Sequence, residues 1–387
     1  MRCASGSRTA RSTVANSDRR IASKARSRSS RRHGAGAAVD FTSNVTLALP
    51  TCVKGPAAAP HPVGSPIGPA DAKLAASQGP GGTVVVAITM GSLNVIDARD
   101  GLTITQGPAP PAGAPVAVVA ADLDGDCDDD LVIATDGAPP MVFLREGATF
   151  VVGKSIGTAA VTAIAAADVD HDGRIDLVLG AGASLELWRN DGSSAFTNDP
   201  NALSGAGHVV DVRALALGDL DADGNPDLVV GQAGQTLEAW LGNSGGTGSF
   251  DFASAVVPPV QLDVERLTLA DADGDYDPDL AVAVRGAAMR LYIDREGRLE
   301  DQSFVRLPQP APVARTIAIG GWDDGCEPDA VIASDTGAPS LHGQPTGMFA
   351  ADAAVPAASD LVMVDLDDDG DLDAVLATTR GVIWLAR

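Results

Sequence analysis

The sequence is short of the residues that usually carry chemistry. Only 4% of its 387 residues are aromatic, and it has five His and four Cys. His33, His61, His171, His208 and His342 form no catalytic or metal-ligand motif. Cys3, Cys52, Cys127 and Cys326 match neither a metal-ligand spacing nor an evident disulfide framework. Cys127 and Cys326 stand at the sixth position of two non-adjacent loops described below, so no bond between them is expected; they read as small residues at turns. No apolar run approaches the roughly 18 residues of a membrane span. The N-terminus lacks the apolar core of about 7 to 15 residues that a secretory signal requires.

Positive charge is also scarce beyond the start of the chain. The formal net charge is −24, yet residues 1–33 hold nine Arg and Lys24 against the single Asp18, leaving about −33 for the rest. An acidic body argues against a nucleic-acid backbone as partner. Residues 1–37, rich in Arg and Ser and without apolar periodicity, are expected to be a disordered basic segment. A transit-like segment, a basic interaction arm and a start placed too far upstream all fit it. The last is preferred, because the acidic body that follows suits a calcium-rich compartment.

That acidity is organised. Asp168, Asp170, Asp172 and Asp176 stand at positions 1, 3, 5 and 9 of a loop with Gly173 at position 6. Four carboxylates converging on a Gly turn suit a hard divalent cation, and the position-7 backbone carbonyl, here that of Arg174, is the natural further ligand. The spacing returns as Asp122, Asp124, Asp126 and Asp130; as Asp219, Asp221, Asp223 and Asp227; as Asp271, Asp273, Asp275 and Asp279; and as Asp365, Asp367, Asp369 and Asp373. Position 7 in these copies is Asp128, Asn225, Asp277 and Asp371. Five intact loops predict about five Ca²⁺ ions. A sixth copy keeps Asp323 and Asp329 but has Gly321 and Gly325 where carboxylates belong, so its turn is expected to survive and its metal site to be lost.

An EF-hand also begins D-x-D-x-D-G, but it needs Glu at position 12, where this chain has Ile133, Leu179, Val230, Val282 and Leu376. Short apolar runs flank each loop, as in Leu177-Val178-Leu179, so each loop is read as the turn between two antiparallel strands. The loops recur every 44 to 52 residues, a period that marks a repeat architecture. Units at 71–107, 115–152, 158–198, 208–253, 261–305, 312–350 and 358–387, the first without a calcium loop, predict a seven-bladed all-β propeller of four-stranded antiparallel blades over residues 38–387. The last unit ends after its third strand, and the strand-like segment Val39–Val53 is expected to close the ring by supplying the fourth. Fourth strands are expected to begin near Phe150, Phe196, Phe250, Phe304 and Phe349, with the recurring aromatics packed in the core rather than forming a binding platform.

With loop, strand order and period together, the chain resembles the FG-GAP/VCBS repeat family, the calcium-loop propellers typified by integrin α-chain heads. The motif D-x-D-x-D-G-x-x-D-L stands at Asp168–Leu177 and Asp219–Leu228. The departures are Cys127 and Tyr276 in place of the loop Gly, the degraded sixth loop and the first unit without one. The resemblance implies an extracellular, cell-surface or periplasmic protein that binds a protein or glycan ligand, on the face opposite the calcium loops. Asp136, Arg285, Asp335, Arg380 and the inter-blade His208 are the candidate contacts. A polysaccharide lyase or hydrolase on the same scaffold is the alternative, disfavoured because no acid/base constellation is visible.

Overall fold

In the computed structural model the described residues are 61–62 and 70–386, apart from 100, 205–207, 244–247, 324 and 326. The domain boundary expected at residue 37 and the segment Val39–Val53 lie outside them.

The apolar runs form strands because each is covered on both faces. The second strands Asp130–Thr135, Asp227–Gln232, Asp279–Val284 and Asp373–Thr378 are buried at every residue, so they show no alternation of polar and apolar positions. Each blade is built on four antiparallel strands; blade 4 adds Leu203–Ser204 parallel to its fourth strand, and blade 7 takes its fourth strand from His61–Pro62. Blade 3 is representative, with Ala163–Ala167, Asp176–Ala181, Ser184–Asn190 and Phe196–Asp199 paired in sequence order. Seven such blades follow one another. Their first strands touch in succession, and the last of them, Asp360–Val364, meets the first, Lys73–Ser77. The ring is therefore closed. Among the described residues the apolar core falls into seven clusters, each drawn from two adjacent blades. A blade cannot bury its faces alone, and stacking around a ring supplies both.

Closure follows the expected principle with a different strand. His61–Pro62 pairs antiparallel with Gly381–Ala386, His61 opposite Ala386 and Pro62 opposite Leu385. A Pro/Gly/Ala-rich stretch therefore supplies the fourth strand of blade 7; a Pro is tolerated because an outermost strand need not donate on both sides.

The aromatic register holds in four blades: Phe150, Phe196, Phe250 and Phe349 lie opposite Arg145, Asn190, Gly242 and Gly343. Blade 5 differs from expectation. Leu299 takes the equivalent place opposite Asp294, while Phe304 lies in the short helix Ser303–Arg306 and is 81% exposed. The fourth strand ends at Asp301 and the chain turns helical at Ser303, before the Phe that was expected to open that strand.

Cys127 corrects a second expectation, since it is disulfide-bonded rather than a free small residue. Its partner lies outside the described residues.

Candidate metal centres and the channel cluster

Strand order puts every loop between a first and a second strand on one rim of the ring. The 3–4 turns share that rim, and the 2–3 turns and inter-blade connections form the other.

Two left-handed residues shape each intact loop. Position 6 has φ of 78° at Cys127, 86° at Gly173, 90° at Gly224, 72° at Tyr276 and 101° at Gly370. Position 4 is left-handed as well, at Gly125, His171, Ala222, Gly274 and Asp368. Where Cys127 and Tyr276 displace the sixth-position Gly, a Gly stands at position 4 instead, so each intact loop keeps one unstrained left-handed residue.

These turns aim backbone donors at the first carboxylate. Asp168 accepts from the N–H of Asp172 at 3.1 Å and of Gly173 at 2.9 Å; Asp219, Asp271 and Asp365 are held alike, as is Asp122, which accepts from Gly125, Asp126 and Cys127. The exposed fifth-position groups Asp126, Asp172, Asp223, Asp275 and Asp369 each accept from the N–H of position 7, namely Asp128, Arg174, Asn225, Asp277 and Asp371. The ninth-position groups are buried, and each of Asp130, Asp176, Asp227 and Asp279 accepts at 2.8 Å from an N–H of the third strand, at Arg145, Asn190, Gly242 and Asp294. In three of these blades the other oxygen accepts from position 2, at Leu123, Leu220 and Ala272. Leu366 donates to Asp373 in the same way.

Carboxylate oxygens consequently converge. One oxygen each from Asp122, Asp124 and Asp130 lies within 4.8 Å of the others, as do those of Asp168, Asp170 and Asp172, of Asp219, Asp221 and Asp227, and of Asp271, Asp273 and Asp279. Burial pushes the carboxyls of Asp130, Asp176 and Asp227 up to about 7 and that of Asp279 up to about 8. Asp124, Asp221 and Asp367 are also raised, by burial and then by their acidic neighbours. Two third-position oxygens, Asp273 Oδ1 and Asp367 Oδ1, are buried without a hydrogen-bond partner. Clustered oxygen donors, raised pKa values and orphaned buried oxygens are features that suit a hard cation.

Guanidinium groups occupy part of this space in two blades, a feature the spacing did not reveal. Arg189, on the third strand of blade 3, lies 3.2 Å from Asp170 and 3.3 Å from Asp176. Arg174 adds its own side chain, 3.0 Å from Asp172. In blade 5, Arg295 reaches Asp273 at 3.0 Å and Asp275 at 3.3 Å, while Arg306 reaches Asp273 at 2.9 Å. Neighbouring loops also touch, His171 Nε2 lying 3.2 Å from Asn225 Oδ1.

The sixth loop is not empty of donors. Asp323 and Asp329 come within 4.8 Å of His342, a third-strand residue that carried no motif in the sequence.

On the opposite rim the candidate contacts Asp136, Arg285, Asp335, Arg380 and His208 are all exposed. Asp335 pairs with Arg315 at 2.8 Å. His208 stands apart from the 2–3 turns, its ring stacked on Phe252 of the outer strand of blade 4 at 5.1 Å.

A charged cluster inside the ring went unseen in the sequence. Asp360 of blade 7 is buried and accepts from Thr316 Oγ1 of blade 6 at 2.9 Å and from the N–H of Leu74 at 3.2 Å. Lys73 of blade 1 lies 3.9 Å away and Arg266 of blade 5 lies 3.6 Å away. Arg315 bridges to Glu265 at 3.0 Å. Blades 1 and 5 are not neighbours, so these side chains meet across the axis. Burial pushes the Lys73 amine down to about 8, assisted by Arg266. Burial raises the Asp360 carboxyl, but Lys73 and Arg266 outweigh it and hold the group below its usual range. The signal was present: five residues before each loop stand Ala117, Ala163 and Ala214 in blades 2 to 4, but Arg266, Thr316 and Asp360 in blades 5 to 7.

No curated protein matches the chain. Among solved structures it is similar in fold to an Agrocybe aegerita lectin that recognises non-reducing terminal N-acetylglucosamine, with a TM-score of 0.55 and 18% identity over 79% of this chain and 85% of that one. It is likewise similar to BBS1N, solved in complex with ARL6DN, with a TM-score of 0.57 and 13% identity over 85% of this chain and 95% of that one. At such identities the likeness is one of fold. The sequence pattern of the FG-GAP-like repeat matches at residues 122–179, 168–230 and 219–282, the segments that carry the loops of blades 2 to 5. The chain is a seven-bladed β-propeller, and its residues 122–282 carry FG-GAP-like repeats.

Proposed function

We propose that the protein is a calcium-clamped interaction module of an extracellular, cell-surface or periplasmic setting, presenting the rim opposite its calcium loops to a protein or glycan. The observation that carries the calcium reading is the pair of buried, unpartnered third-position oxygens, Asp273 Oδ1 and Asp367 Oδ1, inside loops whose other carboxylates are already oriented by backbone N–H groups. Bound calcium supplies charge neutralisation for carboxylates that otherwise repel one another. The chain's own residues do the rest: position 1 is fixed by the turn, position 9 by the third strand, and position 7 offers its carbonyl.

Clamping one rim leaves the other free to vary in sequence, and its 2–3 turns carry Asp136, Arg285, Asp335 and Arg380. The lectin and the BBS1 propeller support this reading as cases in which a similar fold is found with a glycan or a protein. No helix among the described residues is long and apolar enough to cross a membrane. A glycan and surface-protein array, probed in calcium and in chelator, tests the proposal. Calcium-dependent retention weakened by substitutions at Arg285 and Arg380 is expected. Release of unsaturated or shortened saccharide would instead identify a lyase or hydrolase.

A further inference from the structure

The degraded loop of blade 6 has lost calcium's ligands but gained a nitrogen. Gly321 and Gly325 remove the first- and fifth-position carboxylates. What remains is Asp323, Asp329 and His342, whose donor atoms lie within 4.8 Å of one another. Both carboxylates are held by the backbone. Asp329 Oδ1 accepts from Gly343 at 2.8 Å, and its Oδ2 accepts from Trp322 at 3.2 Å and from Asp323 at 2.9 Å. Asp323 Oδ1 accepts from Gly325 at 2.6 Å, which leaves Oδ2 for the imidazole.

His342 Nδ1 is the independent pointer. It is turned out of solvent and satisfied by no aligned hydrogen bond, yet it stands 2.5 Å from Asp323 Oδ2 and 3.1 Å from Asp329 Oδ1. A ring nitrogen this close to two carboxylate oxygens calls for a shared cation, either a proton on the imidazole or a metal ion in its place. In blade 3 the equivalent place, just before the residue that caps the ninth-position carboxylate, is held by Arg189 with its permanent charge. Imidazole has no permanent charge and can serve as a ligand.

We infer that Asp323, Asp329 and His342 form a binding site for a divalent transition metal of the zinc class, separate from the calcium loops and independent of whether those loops bind calcium. Calcium takes six to eight oxygen ligands, and two carboxylates with a nitrogen are a poor set for it. Imidazole with carboxylates suits zinc and its neighbours, with a fourth position left to water. Donors about 2.0–2.1 Å from a tetrahedral zinc stand roughly 3.3 Å apart. The His342 side chain, 43% exposed, is free to swing outward by that amount.

The test titrates Zn²⁺ into the full chain by calorimetry in excess calcium, and repeats it with Co²⁺ followed by visible absorption. One zinc equivalent is expected, together with a cobalt band of tetrahedral intensity. His342→Ala should weaken zinc binding at least tenfold and abolish the band while leaving calcium stoichiometry and melting temperature unchanged. Asp323→Asn is the second variant, should the first fail to fold, and should have the same effect. Absence of zinc binding, zinc binding equal in both variants and the parent, or displacement of the zinc by calcium would each overturn the assignment.

Discussion

The carboxylate of Asp227 accepts a 2.8 Å hydrogen bond from the backbone N–H of Gly242, so a residue read as a metal ligand also fastens the third strand of its blade to the second. Its other oxygen accepts from Leu220 at 2.7 Å. Asp227→Ala therefore leaves two backbone donors without partners, at a cost of at least about 2 kcal/mol even in chelator. Asp223 is exposed and accepts from the Asn225 N–H within its own loop, and Asp223→Ala should shift metal-free stability by less than about 0.5 kcal/mol. Both should lose one calcium ion. Urea denaturation of the two variants in chelator separates the roles, and equal stabilities would show that the ninth position is a ligand alone.

Calcium and pH should act against each other. Burial pushes Asp130, Asp176 and Asp227 up to about 7 and Asp279 up to about 8 without metal, whereas in the unfolded chain they titrate near 3.9. Between about pH 4 and 8 the folded state holds protons the unfolded state has released, so metal-free stability falls as pH rises. Calcium replaces those protons. At about 1 mM with a dissociation constant near 10⁻⁴ M, each loop adds about 1.4 kcal/mol. Melts in chelator should drop from pH 5 to pH 8, and melts in calcium should not. Identical curves would remove the case for calcium.

How much of this the sequence disclosed depended on the range of each interaction. The loops, the blade count and the buried second strands follow from local spacing, since a turn and its two strands lie within about twenty residues. His342 and Arg189 did not show, because their partners lie on a different strand and only the third-strand register brings them to the loop. Asp360, Lys73 and Arg266 were hidden more deeply, since their meeting needs a closed ring. The closing strand was misplaced for a related reason. Val45-Thr46-Leu47-Ala48-Leu49 has the β propensity, but an outermost partner of two residues needs only to reach Leu385 and Ala386, which His61–Pro62 does.

Closure predicts a truncation effect. Removal of residues 1–53 keeps His61–Pro62 and should leave the edge of Gly381–Ala386 covered and the protein free of aggregation. Removal through Pro62 strips the partner from Gly381–Ala386 and exposes a strand edge that invites intermolecular pairing. The shorter chain should melt lower and scatter light in proportion to its concentration. Equal behaviour of both truncations would show that this pairing does not secure the ring.

The cluster across the axis should be among the most sensitive places in the protein. Asp360→Ala takes one carboxylate from a buried site and leaves Lys73, Arg266, the Thr316 hydroxyl and the Leu74 N–H facing one another. Breaking a buried pair by removing one partner costs about 3–5 kcal/mol. The loss should depend on pH in a direction fixed by Lys73. Its amine is pushed down to about 8 in the fold from an ordinary 10.5, and loss of Asp360 pushes it lower, so the folded state sheds this proton before the unfolded state does. Stability then recovers as pH climbs toward 10.5, and the variant's deficit at pH 7 should shrink by pH 9. Adding Lys73→Met removes the titrating group, so the double variant should be more stable than Asp360→Ala at pH 7 and lose that recovery. Urea denaturation of both at the two pH values decides it, since a deficit that ignores both pH and Lys73 would mean that Asp360 holds the blades through Thr316 and Leu74 alone.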